Sequence, residues 1–197
     1  MRFADAPVLS NAYVELRPLS AEHHDELVDA VSVDDLWRAW YTRIPSPLGM
    51  AGEIERRKAA MAEGSIAAWT IFDRRTGRAV GMTTFLNLDP ANRRLEIGST
   101  WLSRTVQGGP INPAAKLLLL DRAFDELECI AVEFRAHWHN HQSRAAIAKL
   151  GAKQDGVLRN HTVFDNGTVR DTVVFSIIEG EWPTVRYGLQ ERLGRAV

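Results

Sequence analysis

The chain reads as an α/β protein built on a mixed sheet, and three observations carry that reading. Strand-like and helix-like stretches follow one another in the order β-α-α-β-β-β-α-β-α-β-β-α. Two glycine turns, Arg75-Thr76-Gly77 and Asp165-Asn166-Gly167, separate alternating apolar stretches and predict hairpins. Between them, residues 93–128 run from a strand (RRLEIGSTWL) through the turn Gln107-Gly108-Gly109-Pro110-Ile111 into a long apolar helix.

The elements follow in order. Val14 and Leu16 alternate with Tyr13, Glu15 and Arg17, which predicts a first strand over 12–17. Ser20 can cap a helix running to about residue 31, and a second helical piece reaches Trp40. The prolines of Ile44-Pro45-Ser46-Pro47-Leu48-Gly49 make a loop, and Met50, Ile54 and Met61 share one side of a helix over 50–62. Strands are predicted at 66–73, 79–88 and 93–102.

The next helix, 113–128, opens at Asn112-Pro113, with Asn as N-cap and Pro at the first helical position. Its leucines make a wide apolar surface that leaves Arg122, Asp125 and Glu126 for solvent. A strand at 130–138 and a helix at 141–150, stopped by Gly151, come next. Strands at 153–164 and 169–178 and a final helix from Glu181-Trp182-Pro183 complete the order. The reading is one domain over 1–197, with an N-terminal extension at 1–11 and a C-terminal helix at 180–197.

Composition narrows the function classes. The chain carries 24 basic and 25 acidic residues, a net charge of −1, so no large electrostatic footprint for nucleic acid is expected. No apolar run is long enough to span a bilayer, and MRFADAPVLSNAY lacks the apolar core of a secretory signal. The one cysteine, Cys129, cannot make an intrachain disulfide and reads as packing. A cytoplasmic protein that binds neither nucleic acid nor membrane is the expectation.

The turn after the third of the central strands is the first functional candidate. It aims backbone N–H groups and the positive end of a helix dipole at whatever lies above it, which suits a phosphate. Glu96 is the second. It sits between Leu95 and Ile97 with Gly98 on its own face, and a carboxylate in a cleft can take a proton if burial raises its pKa. The other reading is a surface glutamate paired with Arg93 or Arg94. His137, His139 and His141 alternate, but no carboxylate or cysteine stands at supporting spacing and Asn140 starts a helix, so no metal is expected.

Taken together, LEIGSTWL at 95–102, QGGPINPAAKLLLLDRAF at 107–124, HNHQSRAAIAKLGAKQDGVLRNH at 139–161, DNGTVRDTVVFSI at 165–177 and EWPTVRYGLQERL at 181–193 resemble the GNAT acyltransferases, in particular the RimJ/RimL-type branch. The resemblance implies splayed central strands, acetyl-CoA as donor and an amine as acceptor, either a protein N-terminus or a small amine or amino acid. It also implies a homodimer. By resemblance, the CoA pyrophosphate lies on the turn at Gln107, Gly108, Gly109, Ile111 and Asn112, and the pantetheine arm beside Thr100, Trp101 and Leu102 and against Asn140.

The family turn, Gln/Arg-x-x-Gly-x-Gly/Ala, reads here as Gln107-x-x-Pro110-x-Asn112. Pro110 has no N–H, and Asn112 brings a side chain able to cap its own helix, so the turn is either a modified pyrophosphate cradle or a capped helix start with weakened anion affinity. The altered turn leaves open a GNAT-fold binding or regulatory module that has lost catalysis, and the histidines a metal-dependent hydrolase.

In the family a carboxylate on the strand of Glu96 often acts as base; His161, next to Thr162, is either a substitute base here or an ordinary strand histidine. The family's acid tyrosine aligns with Ile147, which cannot donate; Asn140-His141-Gln142-Ser143 resembles the Asn-x-x-Ser motif of RimL-like enzymes, which implies Ser143 as the group that meets the leaving thiolate, its other reading being a mere helix cap. Trp37, Trp40, Tyr41 and Arg43 fall where the family walls its acceptor site, although amphipathic packing explains the tryptophans equally well.

Overall fold

The computed structural model describes residues 3–194; Met1, Arg2 and residues 195–197, which belong to the expected terminal segments, lie outside the described residues. Eight strands form one sheet: β1 (Leu9–Ser10), β2 (Val14–Pro18), β3 (Ala67–Asp73), β4 (Arg78–Asp89), β5 (Arg94–Leu102), β6 (Ala131–His137), β7 (Lys153–Val163) and β8 (Val169–Ile178). The helices are α1 (His24–Ser32), α2 (Met50–Ala62), α3 (Ile111–Asp121), α4 (His141–Ala148) and α5 (Trp182–Gly194). Strand order is 1-2-3-4-5-6-8-7, with β5 and β6 parallel and the other neighbours antiparallel.

Two apolar cores sandwich the sheet. Leu27, Val31, Met50 and Ile54 of α1 and α2 bury against Ala68, Phe72 and Met82 on one face. Leu119, Leu120 and Ala123 join Leu189 and Leu193 of α5 against Trp69, Phe85 and Val132 on the other. A sheet covered on both sides reads as the near-continuous apolar runs of β3 and β4 rather than as strict alternation.

The structure corrects several local readings. A short strand, β1, precedes the expected first one and pairs Leu9 with Leu16. The helical piece expected to reach Trp40 is a 3₁₀ segment, Val33–Arg38, broken by left-handed φ at Asp34 and Asp35. Helix α3 starts at Ile111 with Pro110 at the cap, so Asn112 and Pro113 are its second and third residues and Asn112 makes no capping bond. Pro110 is already helical (φ −75°, ψ −15°), and Ala114 N–H donates to its carbonyl at 3.0 Å. A proline at 113 is tolerated because its missing N–H falls in the first turn.

The far end of α3 widens into a π turn, Arg122–Glu126, rather than continuing to residue 128. Arg122, expected in solvent, is 2% exposed. Its guanidinium reaches Glu126 at 2.6 Å and the Asp5 carbonyl at 3.0 Å, because the N-terminal segment lies over it. Helical periodicity cannot register a cover supplied from more than a hundred residues away.

Candidate active site

The sheet opens at one place. β5 and β6 pair through Arg94–Ala131, Leu95–Val132 and Glu96–Glu133, and there the ladder stops. β5 runs on to Leu102 and β6 to His137 without further pairing to each other. A bulge helps part them: Ser99 has φ +46°, and Thr83 of β4 faces both Ser99 and Thr100 where the register shifts between Met82–Trp101 and Thr84–Gly98. The result is a cleft of about 880 Å³. Strands that part inside a sheet leave amide groups unpaired, and a ligand bearing amides of its own can satisfy them.

The glycine turn closes one end of the cleft. Gly108 has φ +79° with no heavy atom within 4 Å of where a side chain would start, so the backbone is open to close approach. The amides of Gly108, Gly109, Ile111 and Asn112 all precede the first helical bond, made by Ala114. Asn112 leaves them uncapped, which removes one objection to an anion there. Gln107, Gly108 and Asn112 line the cleft. Gly109 does not, and the Ile111 side chain is buried in the core, so only their backbone is available. The Gln107 amide is committed to structure: it donates to the Leu102 carbonyl at 2.8 Å and accepts from Gln142 at 2.9 Å.

Glu96 stands at the fork. It is 5% exposed, which excludes the surface reading, and its partners are Asn87 (2.7 Å) and Arg135 (3.4 Å), both on Oε2. Arg94 pairs with Glu133 instead. Burial raises the Glu96 pKa above the ordinary value, with Arg135 and Asn87 pulling the other way. A Cβ on Gly98 would lie 2.8 Å from Glu96 Oε1, so the glycine makes room for the carboxylate.

Lys116 lines the same cleft and was missed by sequence reasoning. It is 5% exposed, and its Nζ donates to Thr100 Oγ1 at 2.8 Å and Thr83 Oγ1 at 3.3 Å. Burial lowers its pKa to about 7. The signal was present: Lys116 lies on the buried side of α3 with Ala115, Leu119 and Leu120.

Across the cleft, Asn140 caps α4 by accepting from the Ser143 N–H at 3.0 Å. Ser143 is thus not the cap, and its hydroxyl stays free to act in the cleft beside Asn140 and Ile147. Thr100, Trp101 and Leu102 line the opposite wall. Of the aromatic group, Tyr41 and Arg43 line the cleft. Trp37 does not; it packs against the α1–α2 core. Trp40 does not line it either; it is half-exposed, 5.3 Å from His137 and 5.5 Å from His139 ring to ring. His161 also lines the cleft, bonded through Nδ1 to Thr172 at 3.1 Å. Among the described residues no group of three or more His, Cys, Asp or Glu is placed to hold a metal ion. Cys129 is buried, and burial raises its thiol to about 12.

A mixed sheet parted at its one parallel pair, with a glycine turn and helix N-terminus at the mouth, has the architecture of the acyltransferases that the sequence resembles. A family model described as an acetyltransferase (GNAT) domain matches residues 14–153, and the chain belongs to that family. A Bacillus subtilis (strain 168) protein provisionally named ribosomal N-acetyltransferase YdaF is 35% identical over 127 residues. That match covers 64% of this chain and 66% of the relative, just under two thirds of its length. A GCN5-related N-acetyltransferase from Brucella melitensis superposes with a TM-score of 0.87 at 28% identity, over 96% of this chain and 86% of its own. Mycobacterium smegmatis RimJ in complex with CoA-disulfide shares the fold, with a TM-score of 0.81 at 21% identity over 98% and 97% of the two chains. The Bacillus subtilis relative, named for ribosomal acetylation, supports the RimJ/RimL-type branch. Among the described residues no helix is long and apolar enough to cross a membrane.

Proposed function

We propose that the chain works as a single cytoplasmic GNAT domain that transfers the acetyl group of acetyl-CoA to a primary amine, with a protein N-terminus as the favoured acceptor class. The observation that carries this reading is the fork itself: an enclosed carboxylate, Glu96, at the point where β5 and β6 separate. The names of the relatives support a protein acceptor.

In this reading the donor's pyrophosphate rests on the amides of Gly108, Gly109, Ile111 and Asn112, and its pantetheine arm pairs with the free edge of β5. The amine attacks the thioester carbon directly, and Glu96, or a water it holds, removes the ammonium proton. Burial suits Glu96 to the task by raising its proton affinity toward the working pH. Backbone N–H groups of Thr100–Leu102 polarise the carbonyl, and Ser143 donates to the departing thiolate.

Calorimetry with acetyl-CoA and thiol release with amine-bearing peptides test the reading. Glu96→Gln should lower kcat by about 100-fold or more while acetyl-CoA affinity changes little. Unchanged turnover would remove Glu96 from the mechanism. Absence of acetyl-CoA binding at millimolar concentration would overturn the assignment in favour of a non-catalytic module.

A further inference from the structure

Arg170 is a cation to which the reaction above gives no task. On β8 it shares the cleft side with Thr172, while Asp171 between them turns to Arg159 and the Asn160 amide. Its Nε is closed off from solvent and has no hydrogen-bond partner. Among the described residues its guanidinium makes no ion pair. Three other arginines line the cleft with it. Arg104 donates to Gln107 Oε1 at 3.3 Å, at the glycine turn. Arg135 is committed, with Glu133 at 3.0 Å and Glu96 at 3.4 Å. Arg43 lies over the Phe164 ring at 5.0 Å and meets Asp165, on an exposed turn, at 3.8 Å. That exposed contact holds it weakly.

The charges around Arg170 are therefore unbalanced. Burial weakens its hold on a proton, Arg43 and Arg135 add to the effect, and Glu96 opposes it. Glu96 is already shared with Arg135 and Asn87. A guanidinium offers five donors in a planar fork that matches a carboxylate, and one that is partly buried and left unmatched is costly.

We infer that Arg170 and Arg43 form a carboxylate subsite at the acceptor end of the cleft, so that the preferred acceptor is an amine bearing a carboxylate a few bonds from its nitrogen. Such an acceptor places its ammonium at Glu96 and its carboxylate at Arg170, satisfying both. The inference rests on the acetyltransferase reading. The carboxylate has two sources: an acidic side chain near a peptide N-terminus, or the α-carboxylate of a free amino acid.

Matched probes separate the sources. N-acetyl-Ala-Asp-amide against N-acetyl-Ala-Asn-amide tests the peptide, and N-acetylalanine against N-acetylalaninamide tests the amino acid, both by calorimetry. The corresponding free amines are compared by kcat/KM with acetyl-CoA. In one of the two pairs the acid should be favoured about 10-fold or more, chiefly through KM. Arg170→Met should erase that preference, the loss falling chiefly on the acid member of the pair, and Arg170→Lys should restore part of it. Equal behaviour of acid and amide in both pairs overturns the subsite. So does a preference that survives both Arg170→Met and Arg43→Met. The binding comparison needs no turnover: a preference for acids without transfer to any amine would retain the subsite and refute the transferase reading, and transfer without preference the reverse.

Discussion

Replacing Lys116 by methionine isolates the energetics of an enclosed charge. The lysine has no carboxylate partner among the described residues and donates to two threonine hydroxyls. Burial lowers its pKa from 10.5 to about 7. In the unfolded chain it keeps its proton to about pH 10.4. Between those values the unfolded state binds the extra proton, so the lysine's contribution to stability rises with pH. Below the folded value the native state bears the full cost of a buried ammonium.

At about 1.36 kcal/mol per pKa unit, the wild type should gain roughly 2–3 kcal/mol from this residue between about pH 6 and about pH 9. Methionine has similar reach and no charge, and Thr83 and Thr100 remain bonded to each other at 2.8 Å. Urea unfolding of both proteins at the two pH values reads the effect. The stability of Lys116→Met relative to wild type should be roughly 2–3 kcal/mol more favourable at the lower pH. The same pH dependence in both proteins would refute the reasoning, because it would mean that Lys116 is charged in the fold at both pH values.

Further outcomes are expected at neighbouring positions. Gly98→Ala puts a Cβ 2.8 Å from Glu96 Oε1, so it should displace the carboxylate and lower kcat by about 10-fold to 100-fold with acetyl-CoA binding retained, as measured by thiol release and calorimetry. The raised pKa of Glu96 places the rise of kcat/KM with pH above the ordinary carboxylate range, and Arg135→Met, which removes a charge opposing that shift, should move it further up in a pH–rate profile. Asn140→Ala removes the cap of α4 and should cost about 1 kcal/mol, read as a fall of about 2–4 °C in Tm. Cys129, buried with its thiol raised to about 12, should react with iodoacetamide only after unfolding.

Much of the fold was legible because its signals are local. The hairpin at Asp165-Asn166-Gly167 follows from turn chemistry, and Gly167 has φ +80°. The capping serine of the first helical segment and the stop at Gly151 (φ +101°) follow from residue type alone. The start of α3 did not: Asn112-Pro113 is a good cap in isolation, but Pro110 already adopts helical angles and takes the position first. Trp37 and Trp40 were equally ambiguous, since aromatic residues on an amphipathic segment serve a core or a cleft wall with the same spacing.

The sequence by itself determined the order of strands and helices from β2 onward, the family and the strand on which Glu96 sits, because periodicity, turns and motif spacing are written along the chain. Tertiary structure alone decided which charges are enclosed. Glu96 meets Arg135 and Asn87 rather than its sequence neighbours. Lys116 is held under β4 and β5 by two threonines, and Arg170 lines the cleft with its Nε buried and, among the described residues, unbonded. Desolvation and ion pairing depend on what other segments bring within a few ångströms, and that proximity is set by the packing of the sheet.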